Sequence, residues 1–194
     1  MRRLIITAFV SLDGVMEAPG GEEEHRNAGW TFNQLPHDDA VYDLKDQEQL
    51  EAGALLLGRR SYEAFAPVWP SMTEEFARYN ELPKYVVSSS LRQENLIEGW
   101  GEISILRSLD EVAQLKEDDD GPLLVHGSAA LGHSLAEADL VDRYHLLVFP
   151  LLLGAGKRLF PTTEKDATRL RLMEHEAFSN GVQKMILDVS REGS

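Results

Sequence analysis

The chain has 194 residues, no cysteine, and 19 Lys plus Arg against 33 Asp plus Glu, a formal net charge of −14. That length suits one domain over 1–194, able to bury roughly 70% of its unfolded surface without a staple. The charge disfavours a general nucleic-acid or anionic-membrane surface, and the missing cysteines exclude disulfides, thiolate zinc sites and a cysteine nucleophile. Met1-Arg2-Arg3 precedes apolar residues, but Asp13 interrupts the run and no cleavage site of small residues follows, so no signal peptide is expected. No apolar stretch approaches the roughly 20 residues that span a bilayer. A soluble, cytoplasmic protein is the expectation, compatible with the absence of cysteine.

In chain order, Leu4 to Val10 is aliphatic almost throughout and predicts a central strand ending at Ser11-Leu12-Asp13-Gly14. About twenty residues of loop follow, with Pro19, Gly20, Gly21, the acidic run Glu22 to Glu24 and Gly29; loops of that length are more often lids or binding loops than idle connections. Good helix formers run from Asp38 to Ala52, with Gly53 as the stop. Ala54 to Leu57 is short enough to be buried strand or helix, and its neighbours decide for strand. Helical signals resume after Arg59-Arg60, and Ser71-Met72-Thr73-Glu74 has capping-box spacing ahead of Phe76 and Tyr79. Lys84 to Val87 reads as a strand running into Ser88-Ser89-Ser90. A further strand fits Ile103 to Leu106, and a second capping box, Ser108 to Glu111, opens a helix to about Lys116. Leu123 to Val125 is a buried strand ending at His126-Gly127-Ser128, Leu131 and Leu135 share a helical face, and Val141 to Phe149 is a long strand. Thr168 to Phe178 and Val182 to Ser190 flank Asn180-Gly181, a hairpin signal. The whole predicts an α/β fold in three layers: a mixed, mainly parallel sheet flanked by helices and finished by an antiparallel hairpin.

Three strand ends carry residues suited to phosphate or sugar: Gly58-Arg59-Arg60-Ser61, Ser88-Ser89-Ser90 and His126-Gly127-Ser128. In an open α/β sheet ligands bind beyond the carboxyl ends of strands, where loops meet helix N-termini. Side by side, three such ends make one elongated anion site, and a dinucleotide carrying an extra phosphate is its natural occupant. Each segment also has a bland reading: solvated charges paired with carboxylates, a polar turn, an ordinary helix cap. Their joint placement favours the site. Gly154-Ala155-Gly156-Lys157 looks like a P-loop, but Leu151 stands where a glycine is required and Arg158 replaces the Ser or Thr. The six His residues include no zinc-like spacing, so no metal is expected, and no G-x-S-x-G elbow is present.

Ser11 to Gly14, Leu57 to Glu63, Val87 to Leu91, Gly127 to Leu131, and Leu140 to Tyr144 through Phe149 to Phe160 together resemble the dihydrofolate-reductase-like superfamily. They are closer to the reductase domain of the riboflavin-biosynthesis deaminase-reductase than to dihydrofolate reductase. The resemblance implies an NADPH site and frequent homodimers. It would place Arg59, Arg60 and Ser61 on phosphates, Ser88, Ser89 and Ser90 on the 2′-phosphate, and Gly127, Ser128, Ala129 and Leu131 on the pyrophosphate. Ala8, Asp13 and Gly14 would lie by the nicotinamide and its ribose. The loop from Val15 to Asn33 would match a lid that excludes water during hydride transfer. Trp30 and Phe32 are candidate substrate-pocket walls or anchors of that loop, and Pro150 to Gly156 comes close to the expected pocket, with Pro150 and Gly154 as its candidate residues. Unlike dihydrofolate reductases, the chain sets its acidic residue, Asp38, at a longer spacing after Trp30, and unlike the riboflavin enzyme it has no zinc-binding cysteines. The expected function is therefore an NADPH-dependent reductase of a small heterocycle of pyrimidine or pterin kind, with Asp13, Asp38 or a water relaying the proton. The alternative is a nucleotide-binding or sensing protein of the same fold without catalysis.

Overall fold

The computed structural model describes residues 1–21, 25–161, 163 and 166–191, so the acidic run at 22–24 lies outside the described residues. Among these described residues eight strands form one sheet: β1 (Leu4–Ser11), β2 (Ala54–Gly58), β3 (Lys84–Val87), β4 (Ile103–Leu106), β5 (Leu123–His126), β6 (Arg143–Phe149), β7 (Leu170–Ala177) and β8 (Gln183–Val189). They lie in the order β4-β3-β2-β5-β1-β6-β8-β7. β4 through β6 run parallel, whereas β8 is antiparallel to β6 and β7 to β8. The aliphatic runs at Leu4, Ala54 and Leu123 become the three central strands because strands covered on both faces need apolar residues at every position. The hairpin closes at Asn180-Gly181, where Gly181 has φ 89° and its N–H donates to the Phe178 carbonyl.

Among the described residues six α-helices join the strands: α1 (Trp30–Asn33), α2 (Asp43–Glu51), α3 (Arg59–Phe65), α4 (Ala77–Glu81), α5 (Leu109–Lys116) and α6 (Ala129–Glu137). Val112 of α5 and Leu131 and Leu135 of α6 pack with Leu4, Ile6, Leu56 and Val125 on one face of the sheet. Tyr62 of α3 and Tyr79 of α4 pack with Ile5, Leu55, Leu57 and Leu124 on the other. The three-layer mixed fold is thus the one the sequence pattern predicts.

Two helical expectations need correction. The helix predicted from Asp38 begins instead as a 3-10 turn over Asp39–Tyr42, with the Asp38 carboxylate accepting from the Ala40 N–H, and becomes α-helical only at Asp43. The capping box at Ser71 does not form. Trp69 stacks on Phe65 and Phe76 at centroid distances of 4.3 and 4.4 Å, Trp69–Ser71 is a 3-10 turn, and the Ser71 hydroxyl donates back to the Val68 carbonyl. Aromatic packing overrides the local cap signal there. At Ser108 half of the box forms: its Oγ accepts from the Glu111 N–H, while the Glu111 carboxylate accepts from Arg107 rather than from Ser108.

Candidate active site

β2 feeds α3 on one face of the sheet and the neighbouring β5 feeds α6 on the other. Adjacent strand ends whose connections leave in opposite directions open a crevice between them. A cavity of about 1560 Å³ lies there, running across the ends of β2, β3 and β5 and the middle of β1.

Its outer limb gathers the three strand ends singled out in the sequence. The Gly58 N–H donates to Ser128 Oγ at 2.9 Å, which fixes the start of α3 against the start of α6. Gly127 and Ser128 both have left-handed backbones, φ 65° and 61°, and a Cβ at Gly127 would lie 3.4 Å from the Phe65 ring. No side chain caps α6, so the first-turn amides of Ala129, Ala130 and Leu131, all on the cavity, have no partner within the helix. Arg59 pairs with Glu63 at 3.8 Å, whereas Arg60, beside it on the cavity, makes no ion pair with any described residue. Ser61, Ser89 and Ser90 line the wall as well. Ser88 also reaches the cavity, but its buried hydroxyl accepts from the Ser90 and Leu91 amides and so shapes the turn. Sequence reasoning missed Arg107. Its guanidinium donates to the carbonyls of Ser88 and Leu91 at 2.8 and 2.7 Å, holding the serine turn against the cavity.

The inner limb lies under α2, and α2 is unusual because the side it buries carries Lys45, Glu48 and Gln49. In the sheet beneath, the parallel register sets Thr7 beside His126 on β5 and beside His145 on β6, a polar row across three central strands. Lys45 Nζ donates to Thr7 Oγ1 and, at 3.2 Å, to Glu48 Oε2, while His145 Nδ1 meets Glu48 Oε1 at 2.8 Å. Burial opposes ionisation of Glu48, but the Lys45 charge and the His145 hydrogen bond outweigh it and hold the carboxyl at about 2. Burial pulls Lys45 below the ordinary lysine range against the pull of Glu48. Burial first, and the Lys45 charge second, push His126 down to about 3, so its imidazole is neutral. Phe65, Trp69 and Tyr79 surround the His126 ring at centroid distances of 5.8, 5.1 and 5.9 Å. His126 Nδ1, Tyr79 Oη and His145 Nε2 are buried without a hydrogen-bond partner among the described residues. Buried polar atoms are seldom left so, and each requires a reason.

Several expected site residues are placed elsewhere. Asp13 does not border the cavity. Its carboxylate accepts from Ser11 Oγ and from the Leu153 and Gly154 amides, tying the end of β1 to the 150–160 segment. Chiefly the Ser11 hydrogen bond, against some cost of burial and helped by those amides, holds it at about 2, the opposite of a proton donor at neutral pH. Gly14 belongs to the same turn, where its carbonyl accepts from Leu159. Gly156, with φ 131°, is needed beside it: a Cβ there would sit 2.6 Å from Val15. Asp38 is a surface cap that also accepts from Ser179, which lowers its pKa and leaves it outside the cavity. Trp30 is fully buried, edge-on to Phe149 at 5.2 Å, with its indole N–H on the Glu17 carbonyl, so it anchors the loop. Phe32 does line the cavity, stacked on Tyr42, and Ala8 and residues 16–20 border it too. Pro150 and Gly154 do not. Among the described residues no group of three or more His, Asp or Glu is arranged to hold a metal ion, and no helix is long and apolar enough to cross a membrane.

A family model described as the RibD C-terminal domain matches residues 2–184. An uncharacterized protein of Bacillus subtilis (strain 168), YyaP, is 27% identical over 191 residues, 95% of this chain and 94% of that one. The fold is similar to a crystal structure of a putative riboflavin biosynthesis protein from Shewanella sp. PV-4, with TM-score 0.75, 18% identity, and coverage of 97% of this chain and 99% of the other. A pyrimidine reductase-like protein from Corynebacterium diphtheriae gives TM-score 0.66 at 16% identity, covering 98% of this chain and 93% of the other.

Proposed function

Because the chain belongs to the RibD C-terminal domain family, we propose that it is an NADPH-dependent reductase delivering hydride to a small heterocyclic substrate of pyrimidine or pterin kind. The observation that carries this reading is the convergence on one cavity of an uncapped α6, the arginine pair opening α3 and a serine turn braced by Arg107. Free amides at a helix start accept a pyrophosphate, and arginines accept a terminal phosphate bidentately. The donor set therefore fits a phosphorylated dinucleotide: Ala129 to Leu131 for the pyrophosphate, and Arg60, Ser89, Ser90 and Arg107 for the 2′-phosphate. NADPH would supply the hydride, and the protein would supply binding, orientation and exclusion of water. Residues 16–20, which border the cavity, suit the role of a covering loop.

Fluorescence titration with NADPH and NADH tests the reading, with NADPH expected to bind more tightly. Arg60→Ala should weaken NADPH by about 1–3 kcal/mol, the value of a charge-assisted contact, and NADH by less. Equal affinity for the two cofactors in the unaltered protein would sink the 2′-phosphate assignment.

A further inference from the structure

We propose that the inner limb is an oxyanion subsite for a flat, conjugated, carbonyl-bearing ring, in which Lys45 meets the charge that develops on the ring's oxygen and donates its proton. The proposal rests on the reductase reading only for the source of hydride. The chamber itself follows from residues on four elements: Thr7 on β1, Lys45 on α2, Tyr79 on α4 and His126 on β5, all bordering the cavity.

Three features give the chamber its chemistry. Lys45 presents three donors, of which Thr7 and Glu48 occupy two, leaving one N–H for a ligand. Tyr79 and His126 line the same cavity, and Tyr79 Oη and His126 Nδ1 are buried with no hydrogen-bond partner among the described residues, a deficit a ligand with polar edge atoms would satisfy. Phe65, Trp69 and Phe76 line the same cavity and form the walls against which a planar ring would lie. The ammonium is bonded to one carboxylate, Glu48, lies 4.9 Å from the centre of the Phe9 ring and acts electrostatically on His126 of β5, while Glu48 and Asp46 of α2 act on Tyr79 of α4. Glu48, held from behind by His145, is a positioning residue that keeps Lys45 on Thr7.

In the step, hydride from NADPH would add to the carbon of the ring's C=O group, and the π pair would move onto the oxygen. A new C–H bond forms as NADPH becomes NADP⁺. The oxygen takes a proton from the Lys45 ammonium, forming O–H, and the resulting amine regains a proton from water entering the cavity. Burial, which lowers the hold of Lys45 on its proton, favours that transfer.

The probe is 4-nitrophenol, a flat ring whose phenolate mimics the developing oxyanion and is visible by its yellow band. At a pH where the free probe is mostly protonated, the protein should bind it as phenolate and quench tryptophan fluorescence. Lys45→Met should lose the band and weaken binding about tenfold or more, whereas Lys45→Arg should keep the band. Tyr79→Phe removes a hydroxyl that bonds to no described residue, so it should weaken the probe several-fold without lowering the melting temperature. An unchanged band in Lys45→Met, or no band with the unaltered protein, would overturn the proposal, as would Tyr79→Phe binding the probe normally. NADPH titrated in the same samples separates the two readings. A Lys45-dependent band without NADPH binding keeps the subsite and removes the reductase.

Discussion

The two faces of the central sheet are built from the same strands and differ in what covers them. Toward α5 and α6, Leu4, Ile6, Leu56, Leu123 and Val125 meet Val112, Leu131 and Leu135, all apolar. Toward α2, the alternate residues of the same strands include Thr7, His126 and His145, and the helix answers with Lys45 and Glu48. The first face is an ordinary hydrophobic layer that stabilises the fold through buried area. The second buries an ion pair whose desolvation offsets its attraction, an arrangement seldom favoured by stability alone. The polar face is also the one whose Thr7, Lys45 and His126 border the cavity.

The sharpest way to break this contrast is Glu48→Ala, which strands the Lys45 ammonium beneath α2. A loss of about 3–5 kcal/mol in urea unfolding is expected, while Lys45→Met combined with Glu48→Leu should be near neutral or stabilising. If the single and double variants behaved alike, the pair would not be a compensated charge. On the apolar face Leu135→Ala should cost about 2–5 kcal/mol through the cavity it leaves. Cofactor affinity should stay within twofold there, because Leu135 does not border the site.

The smallest effect is on pH dependence. His126 is held neutral down to about pH 3, whereas the unfolded chain takes up that proton below about 6.5. Below 6.5 the unfolded state therefore binds the extra proton, and stability falls by at most about 1.4 kcal/mol per pH unit. Glu48, held at about 2 against an ordinary 4.5, adds a loss of the same sign only below about pH 4.5. His126→Phe should flatten the curve between 6.5 and 4.5 and leave the steeper acid limb. Unfolding midpoints measured across that range check it, and an unaltered slope would place the titration elsewhere.

The contrast also explains what could be read in advance. Continuous aliphatic runs mark buried parallel strands, and Asn180-Gly181 marks the hairpin; both signals are local and both survive in the structure. The outer limb was legible because glycine, serine and arginine cluster where strands end. The inner limb was not. Lys45, Glu48 and Gln49 read as the wet side of a helix, yet they face inward and Leu50 is 78% exposed. Thr7, His126 and His145 form a row only once the register across β5, β1 and β6 is known, and nothing local in the sequence sets that register. Asp13 shows the opposite case: the resemblance would set it by the nicotinamide, and in the structure its hydrogen bonds to Leu153 and Gly154 make it a loop tether outside the cavity.

β5 is inserted between β1 and β2, pairing with both, although more than a hundred residues separate it from β1. The two earlier strands therefore have no direct partner in each other, and the middle of the sheet can close only after residues 123–126 arrive. Contacts that distant close slowly because the intervening loop must first lose its entropy. Until β5 docks, Thr7 and Lys45 lack the His126 side of the chamber. A chain growing from its N-terminus would hold the first halves of both limbs in water until its middle third was made.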